Sequence, residues 1–287
     1  MTTELSLNAP PETHDLAPAG TATLSETDLA ALRIAVAALE RSTLAGRLSG
    51  MVGKPLEMIG HALPAAARDI VTAAVSRALR TALKVALTTL PKAASSRPGG
   101  GRMHTALAAA SGAIGGALGL MTLPVELPVS TTLILRAIAD IARSEGEDLA
   151  DPEAALACLQ VFALGSRTEA DDLASSGYFA VRGALAKSIT EAARVAAGRG
   201  FTDRGAPALV RFMAQIASRF GIVVSQKVAA GAVPVVGAIG GAAVNAAFME
   251  HFRTVARAHF TVRRLERSYG APAVRQAYEA IRTAMAA

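Results

Sequence analysis

Glu126 lies between Pro124 and Pro128 in a stretch that has no other charge. A carboxylate in such surroundings is costly unless paired, and inside a membrane it would mark a functional position. The plainer alternative is an exposed Pro-x-Glu-x-Pro elbow. If the elbow is buried, its expected partners are Arg136, Arg182, His251, His259 and Arg263. Joined by Asn245, such a cluster would suit an anionic headgroup or acid–base work. His251 and His259 invite a metal reading, but eight residues of helix separate them by about 12 Å. One ion cannot bridge them, although either could meet a ligand from another helix. The candidate catalytic residues are therefore Glu126, His251 and His259, and the candidate ligand contacts are those three with Arg136, Arg182, Asn245 and Arg263. No metal or cofactor is expected. The sequence has no G-x-S-x-G, P-loop, dinucleotide, H-E-x-x-H or EF-hand pattern, and Pro55 after Gly53-Lys54 rules out a phosphate loop there.

The elements that would position these residues include one stretch used twice. Gly112-Ala113-Ile114-Gly115-Gly116-Ala117 recurs as Gly237-Ala238-Ile239-Gly240-Gly241-Ala242, within the uncharged runs Thr105–Val125 and Val228–Met249. Such runs must be covered by protein or by lipid. On a helix, Ser111, Gly115 and Gly119 form one flat strip and Gly112 and Gly116 another, and Gly237 and Gly241 repeat the spacing. These strips let a second helix approach closely, which offsets the cost of about 1 kcal/mol for each helical glycine. Pro124, Pro128 and Pro234 are expected to break both runs into shorter helices. A broken glycine-rich hairpin fits a buried core or shallow insertion better than a plain span of about 20 residues.

Scarce aromatics (4%) and the absence of Trp leave an aliphatic, alanine-rich core, which favours close-packed helices over sheets. A net charge of +6 and a pI near 10.0 suit an anionic partner. A phospholipid surface fits better than nucleic acid, because no aromatic interleaving and no nucleic-acid signature is present. Mean hydropathy of +0.37 is high for a soluble protein and low for a multi-span transporter. Cys158 is the only cysteine, so no internal disulfide or cysteine metal cluster can form. With an acidic, proline-containing start and no apolar leader, the expected location is the cytoplasm, peripherally on its membrane.

Residues 1–24 read as a disordered tail, 25–91 as an N-terminal helical extension, 92–104 as a Gly/Pro/Ser linker, and 105–287 as the main helical domain. Ser25 or Thr27 is the expected cap of the first helix. In the helix from Ala65 to Leu90, Val71, Val75, Ala78, Ala82 and Ala86 share one face, and Arg77, Arg80 and Lys84 line another. That pattern suits either an anionic membrane surface or a bundle helix with a solvated basic side. Ser130 or Thr131 is the expected cap of the next helix, and Asp151-Pro152-Glu153 is a strong start for another. Short loops and a 3.6-residue period make the rest all-α.

Longer words carry a family resemblance. Val125-Glu126-Leu127-Pro128-Val129-Ser130-Thr131-Thr132, Glu145-Gly146-Glu147-Asp148 and Cys158-Leu159-Gln160-Val161-Phe162-Ala163-Leu164-Gly165 resemble the EcsC family of bacterial proteins. Ser176-Gly177-Tyr178-Phe179-Ala180-Val181-Arg182, Val233-Pro234-Val235-Val236-Gly237-Ala238 and the segment from His251-Phe252 to Arg263-Arg264-Leu265-Glu266 extend the likeness, which spans about Thr105 to Gly270. The family is named for a gene beside the subunits of an export ABC transporter, so the resemblance implies a membrane-linked accessory role and a possible transporter partner, with no activity to carry over.

The sequence thus predicts an all-α multi-helix bundle in which two glycine-rich segments (Gly112, Gly115, Gly116, Gly119; Gly237, Gly240, Gly241) pack centrally or at a membrane. The expected function is that of a membrane-associated accessory protein interacting with anionic lipid or an export transporter. The alternative is a soluble helical enzyme or small-ligand protein with an interhelical Glu/His/Arg site.

Overall fold

The computed structural model describes residues 24–41, 44, 64–90, 122–166, 177–199, 207–231 and 237–286. Among the described residues there are eight helices and no strand: α1 (Glu26–Arg41), α2 (Ala65–Thr88), α3 (Leu123–Ser144), α4 (Pro152–Leu164), α5 (Gly177–Arg199), α6 (Pro207–Gly231), α7 (Gly237–Tyr269) and α8 (Ala271–Ala286). The all-α bundle expected from composition and periodicity is the observed architecture.

Its layout follows from α4. Asp151 caps this helix by accepting from the Glu153 N–H at 3.0 Å, and Pro152 occupies the first turn, where its missing N–H costs nothing. Every residue from Ala154 to Leu164 is buried. A helix apolar on all sides must be enclosed on all sides, and α2, α3, α5, α6 and α7 all pack on it. Phe162 of α4 meets Phe220 of α6 and Phe252 of α7 with ring centroids 4.9 and 5.2 Å apart.

Helices before and after residues 92–104 share this core. Leu32 and Val36 of α1 and Val71 and Leu79 of α2 join the same buried cluster as Ile138, Leu156 and Phe252. The boundary read from the sequence therefore does not divide two cores. The linker itself and residues 1–23 of the tail lie outside the described residues.

Two expectations for α3 need correction. The helix starts at Leu123, not at Ser130 or Thr131, and it continues through Pro128. Both prolines fall in its first two turns, so only one interior hydrogen bond is lost, while Leu127, Thr131, Ile134, Leu135 and Ile138 bury one face. The Pro-x-Glu-x-Pro segment is thus a helix start and not an elbow. At the other end Gly146 adopts φ +82°, the Glu147 N–H reaches the Ala142 carbonyl at 3.0 Å and the Gly146 N–H reaches that of Arg143 at 3.0 Å. This paired closure needs a left-handed residue, which is why glycine stands there.

Side-chain contacts fix the helix directions. Glu126 meets Asn245 at one end and Glu147 meets Arg263 at the other, so α3 and α7 run parallel. Phe220 of α6 meets Phe248 and Phe252 of α7, while Lys227, further along α6, meets Phe248 and the Glu126 that Asn245 also holds, so α6 runs against both. The first glycine-rich run lies outside the described residues up to Met121. The second is shared between the last turn of α6 and the start of α7, with residues 232–236 outside.

The enclosure of α4 makes a direct prediction. Leu159→Ala should cost about 2–5 kcal/mol by leaving a core cavity. Ile34→Ala, at a side chain 72% exposed, should stay within about 0.5 kcal/mol. Urea unfolding of the two variants checks the contrast.

Candidate functional site

Glu126 sits in the first turn of α3, where the helix dipole favours an anion, and Lys227 sits one turn before the end of α6. Their side chains are 13% and 7% exposed, and Lys227 Nζ donates to Glu126 Oε1 at 2.7 Å. Asn245 Nδ2 donates to the same oxygen at 3.0 Å. The ammonium also lies 5.1 Å from the centre of the Phe248 ring, close enough for cation–π attraction. Burial lowers the Lys227 pKa, and the charge and hydrogen bond of Glu126 oppose that shift. The pair fastens α3 to α6, and Asn245 brings in α7. In sequence, Glu126 directly follows the first uncharged run and Lys227 directly precedes the second.

His251 is fully buried, and its Nε2–H donates to the Gly165 carbonyl at 2.7 Å, where α4 ends. A Cβ at Gly165 would come within 2.6 Å of Phe252 Cε1, so only glycine admits this approach. His259 is also fully buried, and its Nδ1 lies 2.8 Å from the Tyr178 hydroxyl. Arg182 also donates to the Tyr178 oxygen at 3.4 Å. The His259 Nε2 has no hydrogen-bond partner among the described residues. Burial, then the charges of Arg182 and Arg263, push the His259 pKa well below 6.5. Burial pushes the Tyr178 phenol up to about 12, so both groups remain neutral near neutral pH.

Arg182 continues this network by gripping Glu266 through two hydrogen bonds of 2.8 and 2.6 Å. Arg263 grips Glu147 in the same way at 2.8 and 3.0 Å, and Arg267 adds a third donor to that carboxylate. Burial alone would raise the Glu147 pKa, but the hydrogen bonds and charges of Arg263 and Arg267 outweigh it and hold it low. Beside it, Arg264 joins Glu145 at 2.9 Å and Asp28 of α1 at 3.0 Å. Arg136 points outward from α3 and is exposed.

The candidate residues therefore fall in separate places. Asn245 and Arg263 stand about 27 Å apart along α7. Glu126 is paired, as a buried carboxylate must be, but with Lys227 and Asn245 and not with Arg136, Arg182, His251, His259 or Arg263. Lys227 was detectable by the criterion that singled out Glu126, a lone charge bordering an uncharged run. Tyr178, Glu147 and Glu266 carried no such signal, since they become partners only when α5, the α3–α4 turn and α7 come together. Among the described residues, no group of three His, Cys, Asp or Glu is arranged to hold a metal. Burial raises the Cys158 thiol to about 12, which leaves it unreactive as a nucleophile. An open groove of about 560 Å3 beside Glu191, Arg194 and Arg211 contains none of the candidate residues. Gly237, Gly240 and Gly241 form the first turns of α7, whereas Gly112, Gly115, Gly116 and Gly119 lie outside the described residues.

The buried pair and the buried imidazole give two expectations. Lys227→Met leaves Glu126 uncompensated and should cost about 3–5 kcal/mol, most of which the double variant Glu126→Leu/Lys227→Met should restore. For His259, the unfolded chain takes up a proton below about pH 6.5 that the folded chain refuses, because its folded pKa is depressed. Its contribution is therefore complete above about pH 6.5 and declines as pH falls towards the folded pKa, by up to about 1.4 kcal/mol per pH unit. Chemical denaturation across this range should show that slope in the parent and lose it in His259→Gln.

No curated protein and no solved structure matches the chain. The model of the EcsC protein family matches residues 27–265, which takes in α1 and α2 as well as the motifs from residue 105 onward. Since that match covers most of its length, the chain belongs to the EcsC protein family.

Proposed function

We propose that this chain is a membrane-associated helical accessory protein that lies on a bilayer through the outer side of α6. The observation that carries this reading is the contrast between its two most apolar helices. α4 is buried throughout. In α6, Pro207–Ala229 has a mean hydropathy of 1.3 over its most apolar window, yet only 33% of that window is buried. Phe212, Ile216, Phe220 and Val223 hold the inner side of α6 in the core. On the outer side, Val210 is 54% exposed and Ile222 37% exposed, with Ala214 between them, and Arg211 and Ser218 are exposed on the same side.

Although its 23 residues are enough to cross a bilayer by length, one side of α6 is already committed to the bundle. A helix with one side in protein and a free side that mixes apolar residues with Arg211 and Ser218 fits the plane of the interface better than a span. The single cysteine suits a reducing compartment, hence the cytoplasmic face. A transporter partner rests on the family resemblance alone. The alternative, an enzyme or small-ligand protein using Glu126, His251, His259 and Arg263 together, would need one site, and these residues do not share one.

Flotation with liposomes tests the reading. The full chain should rise with the vesicles, and Val210→Ser/Ile222→Ser should weaken binding roughly tenfold through lost apolar contact. Resistance to carbonate would indicate deeper insertion than proposed. Failure to float under any condition would refute membrane association.

A further inference from the structure

Between the last turns of α5 and the first turns of α6 runs an open groove of about 560 Å3, within the range of about 300–1,000 Å3 usual for small-ligand sites. Glu191, Arg194 and Val195 line it from α5, and Pro207, Ala208 and Arg211 line it from α6. The charges of this lining do not cancel. Glu191 receives Arg211 at 3.2 Å and Lys187 at 4.0 Å, through partly exposed contacts of the kind that contribute little. Arg194 is exposed and meets no carboxylate among the described residues. A guanidinium carries several N–H donors in a planar fork, so Arg211 keeps donors for a second anion while one of its nitrogens holds Glu191. The groove therefore presents an excess of positive charge and unused donors.

It opens on the side of α6 that the bundle leaves uncovered. Arg211, Ala214, Ser218 and Ile222 fall at i, i+3, i+7 and i+11, the spacing of one helix face, and all four are exposed. Val210, next to Arg211, is 54% exposed. The Ser218 hydroxyl donates to the Gln215 carbonyl at 2.9 Å, so its proton is already taken. A cationic groove and uncovered apolar residues thus meet on one side of a single helix. A ligand that satisfies both is anionic in one part and apolar in the other.

We infer that this groove holds the phosphate of an anionic phospholipid, with Arg194 and Arg211 donating to the phosphate oxygens and the acyl chains passing over Val210 and Ala214. The inference rests on the membrane reading above and adds the lipid class and the residues that grip it. Guanidinium suits the role because its fork matches the oxygens of one phosphate. Glu191 is a positioning residue, since its contact holds the Arg211 guanidinium at the groove wall. A terminal phosphate, as in phosphatidic acid, fits best, because it carries more charge and more free oxygens than a diester. Soluble phosphate esters and nucleic acids share the phosphate. They leave the apolar residues uncovered, and the groove lining includes no aromatic ring on which a base could stack.

Binding of the full chain to phosphatidylcholine vesicles, with and without phosphatidic acid, tests the site. Phosphatidic acid should tighten binding. Arg194→Gln/Arg211→Gln should lose about fivefold per charge on those vesicles, on the order of twentyfold in total, and bind phosphatidylcholine alone as the parent does. Arg194→Lys/Arg211→Lys keeps the charge but not the fork, and should recover only part of the loss. Arg77→Gln/Arg80→Gln removes the same charge from the exposed side of α2 and should bind as the parent does. Full recovery in the Lys variant, or an equal loss in the α2 variant, would reduce the effect to general charge attraction and overturn the site. Equal binding of the Arg194→Gln/Arg211→Gln variant and the parent to phosphatidic acid vesicles would overturn the site and leave membrane association standing. Absence of parent binding to either vesicle would overturn both. Glycerol 3-phosphate or RNA that binds the parent in solution more tightly than phosphatidic acid vesicles do, through the same two arginines, would assign the groove to that ligand and overturn the lipid inference.

Discussion

A helix with no polar side has to be enclosed, and the rest of this bundle is arranged to enclose α4. Leu156, Leu159, Val161 and Phe162 point in different directions around its axis, and all are fully buried. No two-layer packing can cover every side of a helix, so neighbours must surround it. The scarcity of aromatics then acquires a role. Alanine-rich faces on α2 and α3 approach closely, and four of the eight phenylalanines, Phe162, Phe220, Phe248 and Phe252, gather where α4, α6 and α7 meet.

Ion pairs gather towards the ends of this apolar interior. At one end, Glu126, Lys227 and Asn245 join three helices through a single carboxylate oxygen. Towards the other, Glu145 and Glu147 emerge from the glycine turn that closes α3 and receive Arg263, Arg264 and Arg267 from successive turns of α7. Buried charges survive only when paired and hydrogen-bonded, and each carboxylate here meets more than one donor. These contacts set which helix ends meet and in which direction the helices run. The histidines serve the same interior: His251 ties α7 to the end of α4 through Gly165, and His259 links α7 to α5 through Tyr178.

Against this interior, the outer sides of α2 and α6 stand out. Arg77, Arg80 and Lys84 on one and Val210 and Ile222 on the other face away from the core. The chain therefore spends its paired charges on internal register and leaves mixed basic and apolar surface on the outer sides of these helices. The exposed apolar residues of α6 are the physical basis of the functional reading.

Local rules were legible from one dimension. The Asp151-Pro152-Glu153 start, the glycine at position 146 and the spacing of Val71, Val75 and Ala78 each express a backbone or period constraint acting within a few residues, and each stands in the structure as those constraints require. Glu126 was legible as a carboxylate needing a partner, since its surroundings were uncharged. Which partner it took was not, because Lys227 is brought to it only when the end of α6 meets the start of α3. The continuation of α3 through Pro128 was likewise settled by burial of Leu127, Thr131 and Ile134 over a local penalty. The sequence by itself determined helices, the cap at Asp151 and an aliphatic core, because these depend on neighbours along the chain. Only the tertiary structure decided that α4 is the enclosed helix and that the Glu, His and Arg candidates are dispersed, because both depend on which faces meet across the bundle.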